Sequence, residues 1–121
     1  MLTVVLVFSL MMQEPMRERF INIKRVLRGE DGDRYWANLK DAEMPVFRGK
    51  VVSANLNQGV NRIRMSIETD GVADVNLFSL KPMCKSAAVG SELEFVGVAR
   101  EFTKEPFLLG FEAVRVQGCP K

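Results

Sequence analysis

The sequence predicts a mainly β protein with a helical N-terminal extension, its β part closed into a five-stranded barrel. Three observations predict it. From Val46 onward apolar residues recur with period 2, whereas before it they recur at helical spacing. Residues 62–77, RIRMSIETDGVADVNL, read as a hairpin with one dry and one wet face. Gly49 interrupts the first strand-like segment, as a bulge or sharp bend requires.

The leader MLTVVLVFSLMM is apolar except for Thr3 and Ser9. It is shorter than the ~18–20 residues that span a bilayer. No basic residue precedes it, as a signal peptide would need. Two readings stand: a strand or helix packing on the domain or on a partner, or the tail of a membrane anchor that begins upstream of Met1.

Residues 16–28, MRERFINIKRVLR, place Met16, Phe20, Ile23 and Leu27 on one helical face. Pro15 suits the first turn and Gly29 the end. The spacing predicts a second helix over RYWANLKDAE, N-capped by Asp33, with Trp36 and Leu39 inward and Met44-Pro45 as its stop. Tyr35 and Trp36 are read as packing contacts.

Five strands follow. Val46–Leu56 is the first. Arg62–Glu68 and Val72–Phe78 form the hairpin, turning at Asp70-Gly71. After a short helix or helical turn over Leu80–Val89 come Ser91–Arg100 and Phe107–Val116, joined by a turn at Glu101–Pro106. Ile63, Met65, Ile67, Val75, Leu77, Leu93, Phe95, Gly97, Ala99, Phe107, Leu109, Phe111 and Ala113 fall on inward phases, as does Phe47. The resulting division is residues 1–45 as leader and helical extension, 46–117 as barrel and 118–121 as tail.

Composition restricts function. The 121 residues are 26% charged and 47% apolar, ordinary for a globular chain and unlike a disordered one. Of 17 basic and 15 acidic residues, seven of each sign lie in 1–46, leaving ten basic and eight acidic in 47–121. That is far from the strongly basic footprint of an avid nucleic-acid binder. There is no histidine, which removes the commonest general acid/base and zinc ligand. No phosphate loop, HExxH, CxxC or nucleophile elbow occurs. The chain therefore reads as non-enzymatic, with no metal or cofactor. Cys84 and Cys119 are expected to be free thiols. A disulfide between them in an oxidising compartment is the alternative.

The order of elements, with FRGKVVSANL, an alternating hairpin, AVGSELEFVGVAR and FLLGFEAVRV, resembles the tRNA-anticodon-binding-like OB-fold family of bacterial proteins. Gly90, Leu93, Phe95 and Gly97 carry the glycine-marked strand of that pattern, and the resemblance covers about residues 46–117. It implies an OB-type barrel and single-stranded nucleic acid as ligand, bound on strands 2 and 3 and the flanking loops. On that face the candidate ligand-binding residues are Arg62, Arg64 and Asn76, with Lys50 and Arg48 from the first strand. The loops add Asn55, Asn57, Gln58, Asn61 and Lys104. A stacking platform is missing, because only Phe78 and Phe102 fall outside the apolar phases. Glu68 and Asp74 add negative charge, so Arg62 and Arg64 also read as solvated cross-strand partners of Asp74 and its neighbours.

The alternative function is a protein-interaction or scaffold module of a membrane-associated or envelope protein. It would engage a protein partner or a second copy of the chain through its N-terminal segment. Cytoplasmic and membrane-associated locations both stay open.

Overall fold

The computed structural model describes residues 2–120 apart from 57 and 58, with side chains from residue 15 onward. Two helices, α1 (Leu2–Arg28) and α2 (Gly32–Leu39), precede five strands: β1 (Phe47–Asn55), β2 (Asn61–Ser66), β3 (Val75–Ser79), β4 (Glu92–Lys104) and β5 (Phe107–Gln117). The strands close as β1-β2-β3-β5-β4, and β3–β5 is the one parallel pairing. This is the five-stranded OB-type barrel that the period-2 segments predict.

β1 serves both halves of the barrel. Phe47–Lys50 pair with β4 and Lys50–Asn55 with β2. The bulge falls between Val51 and Ser53, beyond Gly49. Gly49 instead permits close approach, since a Cβ there would lie 3.1 Å from Met65 Cβ. Gly97 is tighter still, with its would-be Cβ 2.8 Å from Phe111 Cβ.

The core is where the alternation places it. Phe47, Val51, Ile63, Met65, Val75, Leu77, Leu93, Phe95, Ala99, Phe107, Leu109 and Phe111 are buried, with Ile67 and Ala113 partly so. Phe20, Ile23 and Leu27 of α1 join the same cluster, and Met16 is half-buried. The Phe20 ring meets Phe47 edge-on at 5.6 Å, and Phe47, Phe95 and Phe111 form a triangle with centroids 5.4–6.1 Å apart. α1 thus covers the barrel end where β1 begins and the β2–β3 and β4–β5 connections turn. Tyr35, Trp36 and Leu39 pack on the core from α2, with the Trp36 ring 4.9 Å from Phe102.

Several local expectations are corrected. α1 does not start at Pro15. It runs through it from Leu2, although Pro15 has no N–H to give the preceding turn. The Leu- and Met-rich leader favours helix strongly enough to continue across it. What the leader side chains cover lies outside the described residues. Among the described residues no helix is long and apolar enough to cross a membrane.

α2 has Asp31 at its N-cap, without a side-chain cap bond. Asp33 sits in the first turn, where its charge suits the helix dipole. The helix ends at Leu39 because residues 41–44 add to the edge of β4 instead. Asp41 N–H donates to Ala99 O, Ala99 N–H to Ala42 O and Met44 N–H to Gly97 O.

Leu80–Val89 forms no helix. Pro82 disfavours helical geometry at Lys81, and the segment is tied elsewhere by a Cys84–Cys119 disulfide. The two cysteines are therefore bonded, not free. They are 35 residues apart in sequence but are brought together because the β3–β4 connection and the tail after β5 lie at one end of the barrel. Finally, β4 extends to Lys104. A register shift between Ala99 and Glu101 carries the strand through the residues read as a turn, so only Glu105-Pro106 connect β4 to β5.

Candidate functional site

On β2, Ile63 and Met65 point into the core, so Arg62, Arg64 and Ser66 share the outer face. The register extends that face into rows. Arg62 lies between Asn55 of β1 and Phe78 of β3, and Phe78 is followed by Glu112 of β5. Arg64 lies between Ser53 and Asn76, with Gly110 beyond. Ser66 lies beside Lys50, which continues to Glu92 of β4.

The basic residues of this face divide in two. Arg48 pairs with Glu92 at 3.1 Å and Glu94 at 3.9 Å, and Lys50 with Asp70 at 3.1 Å. Lys104 stands apart, at the β4–β5 turn beside α2, where Asp33 is 3.8 Å away. Arg62 and Arg64 are exposed, and among the described residues neither forms an ion pair or side-chain hydrogen bond. These two arginines are the uncompensated charge on the face.

The proposed partnership of Arg62 and Arg64 with Asp74 does not occur. Asp74 is 1% exposed and turned under the β2–β3 connection. Its carboxylate accepts from Ile67 N–H at 2.9 Å and Glu68 N–H at 3.1 Å, and it lies 3.5 Å from Lys24 Nζ of α1. These bonds replace ladder pairing, so the hairpin opens into a loop at 67–74 rather than turning tightly at Asp70-Gly71. Burial pushes the Asp74 carboxyl above its ordinary range, against the two N–H groups and Lys24, which pull it down. Glu68, 2.7 Å from Lys24 Nζ, is held below its ordinary range chiefly by that hydrogen bond.

Asn76 is also corrected. It faces outward but is 5% exposed, and its Oδ1 has no hydrogen-bond partner among the described residues. It lines a recess with Glu101, Phe102, Thr103, Leu108 and Gly110. Ser66 Oγ is likewise buried and unpartnered. Buried polar atoms without partners are rare in folded proteins, and here two of them flank Arg64, one on its own strand and one across the hairpin.

Asn61 is not available to a ligand. It is buried, with Nδ2 donating to Ser79 O at 3.5 Å and Lys81 O at 3.2 Å. Asn57 and Gln58 lie outside the described residues. The face also carries an aromatic that periodicity alone left unplaced. Phe78, half-buried, stands directly opposite Arg62. The signal for it was the hairpin register, which a turn assumed at Asp70-Gly71 left undetermined.

No family model and no curated protein matches the chain. Solved structures do. OBody AM1L10, bound to hen egg-white lysozyme, is similar at TM-score 0.51 and 16% identity, over 69% of this chain and 85% of that one. OBody AM3L15, also bound to hen egg-white lysozyme, gives TM-score 0.51 and 14% identity over 69% and 86%. The aspartyl tRNA synthetase from Entamoeba histolytica gives TM-score 0.50 and 10% identity over 65% of this chain, and the match spans 18% of the synthetase. At these identities the likeness is one of fold, and it agrees with the OB-type barrel built from the strand pairings above.

Proposed function

We propose that the outer face of β1, β2 and β3 binds single-stranded nucleic acid, without catalysis, as in the tRNA-anticodon-binding-like OB family that the sequence resembles. The observation that carries this reading is the pair Arg62 and Arg64. They are exposed and free of acidic partners among the described residues, on the strands an OB barrel uses for ligands. Phe78 beside Arg62 supplies one stacking surface, and Asn55 and Ser53, both exposed, supply hydrogen-bonding groups along the same rows. The likeness to a segment of a tRNA synthetase supports the same reading.

Fluorescence anisotropy with mixed-sequence oligonucleotides at low salt tests it. Arg62→Ala with Arg64→Ala weakens binding and reduces the salt slope by about 1.4, the value for two phosphate contacts on a single strand. Phe78→Ala costs about 1–3 kcal/mol if a base stacks on it. Absence of wild-type binding at low salt overturns the reading.

One observation favours a second reading, a protein-binding module in an oxidising compartment. The Cys84–Cys119 disulfide is of the kind that persists outside a reducing cytosol. The lysozyme-bound OBodies are OB barrels that engage a protein. Affinity capture with the intact oxidised chain, followed by a direct binding measurement on the purified candidate, tests it. A competing oligonucleotide tells whether both use the β2–β3 face.

A further inference from the structure

The outer row of β2 does not stop at Arg64. It ends at Ser66, which together with Arg17, Arg48, Lys50, Asp70 and Glu92 lines a pocket of about 190 Å³. Four elements and a loop build it: α1 contributes Arg17, β1 Arg48 and Lys50, β2 Ser66 and β4 Glu92, and Asp70 belongs to the β2–β3 connection. Ser66 is 3% exposed and its Oγ has no partner among the described residues. Arg48 Nε is also buried without a hydrogen bond, because Glu92 at 3.1 Å lies off its N–H direction. The pocket wall thus holds a hydroxyl with no partner among the described residues and a guanidinium N–H that meets its paired carboxylate off-axis, both removed from water.

We propose that this pocket takes a single phosphate group, and that in the nucleic-acid complex it is the terminal phosphate of the bound strand. The second half of the proposal rests on the groove reading above. Position supports it, since Arg62, Arg64 and Ser66 are successive outward residues of one strand and the pocket closes the row they form. Chemistry supports it too. Two arginines and a lysine offer multiple N–H donors, and Ser66 adds an O–H, which matches the several acceptor oxygens of a phosphate.

The two carboxylates present do not exclude an anion. Asp70 is 81% exposed on a loop, and Glu92 is 44% exposed. Exposed ion pairs are weak, so Lys50 and Arg48 exchange these partners for a doubly charged phosphate at small cost. A strand that passed straight through would meet α1 at Arg17. A strand that ends here places its terminal phosphate among all three cations. The groove thereby acquires a direction and an end preference.

The test compares one oligonucleotide sequence carrying a 5′-phosphate, a 3′-phosphate or hydroxyls at both ends, by anisotropy on the full oxidised chain. The expected result is at least fivefold tighter binding of one phosphorylated form, with that preference abolished in Arg17→Ala and in Ser66→Ala. Both variants are checked for wild-type circular dichroism. Equal affinity for all three forms, or a preference that survives both variants, overturns the pocket proposal and leaves the groove reading intact. If no oligonucleotide binds, the groove reading fails, and inorganic phosphate followed by amide NMR decides the pocket. Saturable shifts at Ser66 and Lys50, lost in both variants, support a site for free phosphate, and absence of such shifts overturns it.

Discussion

Lys24 and Asp74 join the N-terminal helix to the barrel. The ammonium on α1 lies 3.5 Å from a carboxylate that is 1% exposed, and the same ammonium sits 2.7 Å from Glu68. It also lies 5.4 Å from the centre of the Phe107 ring. The aliphatic part of α1 supplies the apolar cover, and this cluster sets its position. Asp74 is the centre of the junction because it also accepts two backbone N–H groups of the β2–β3 connection.

Asp74→Ala is expected to destabilise the fold by about 3 kcal/mol, because it leaves those N–H groups without their acceptor and removes one partner of Lys24. Lys24→Met is expected to cost less, since the Asp74 carboxyl keeps its backbone donors and can take up a proton. Urea unfolding of both variants checks the order. A Lys24→Met loss larger than the Asp74→Ala loss would contradict the central role of Asp74.

Acid titration separates the two carboxylates, because their shifts have opposite signs. Glu68 is lowered in the folded chain, so its stabilising contribution is present above its ordinary value of 4.5 and is lost as pH falls through the lowered value. Asp74 is raised above 3.8, so the folded chain takes its proton first. That contribution is present below 3.8 and is lost as pH rises through the raised value. Glu68→Gln is therefore expected to reduce the loss of stability on acidification, and Asp74→Asn to increase it. Stability measured by urea between about pH 3 and 7 reads both slopes.

The Cys84–Cys119 bond closes a loop of 35 residues that contains all of β4 and β5. For a loop of this length the chain-entropy account assigns about 3–4 kcal/mol to the crosslink. Reduction, or the double change Cys84→Ser with Cys119→Ser, should lower the urea midpoint accordingly and leave the barrel folded, since neither cysteine is among the sixteen buried apolar residues of the core. An unchanged midpoint on reduction would show that the crosslink contributes nothing.

Ser66 offers a different signature. A buried hydroxyl without a partner costs stability, so Ser66→Ala is expected to leave the ligand-free protein equally stable or up to about 1 kcal/mol more stable. A hydroxyl held for packing or for an internal hydrogen bond would give a loss instead. Thermal unfolding of the variant decides between them.

The barrel and its interior are legible in the residue pattern alone. Period-2 alternation assigns Ile63, Met65, Val75, Leu77, Leu93, Phe95, Leu109 and Phe111 inward, and the helical spacing of Phe20, Ile23 and Leu27 assigns the face of α1 that covers them. Both are local patterns, set by how far each residue turns the chain. Tertiary structure decided the rest, because the relevant partners are remote in sequence. Arg17 reaches the pocket at Ser66 only once α1 is docked. Asp74 reads as one more polar residue of a hairpin until Lys24 and two backbone N–H groups take it from the surface. Cys84 meets Cys119 only when the connection after β3 and the tail after β5 reach the same end of the barrel. Of the six residues expected to hold a ligand, alternation placed Arg48, Lys50, Arg62, Arg64 and Asn76 on the outer face. Pairing with Glu92, Asp70 and Asp33 then set Arg48, Lys50 and Lys104 apart, and left Arg62 and Arg64 as its uncompensated charge.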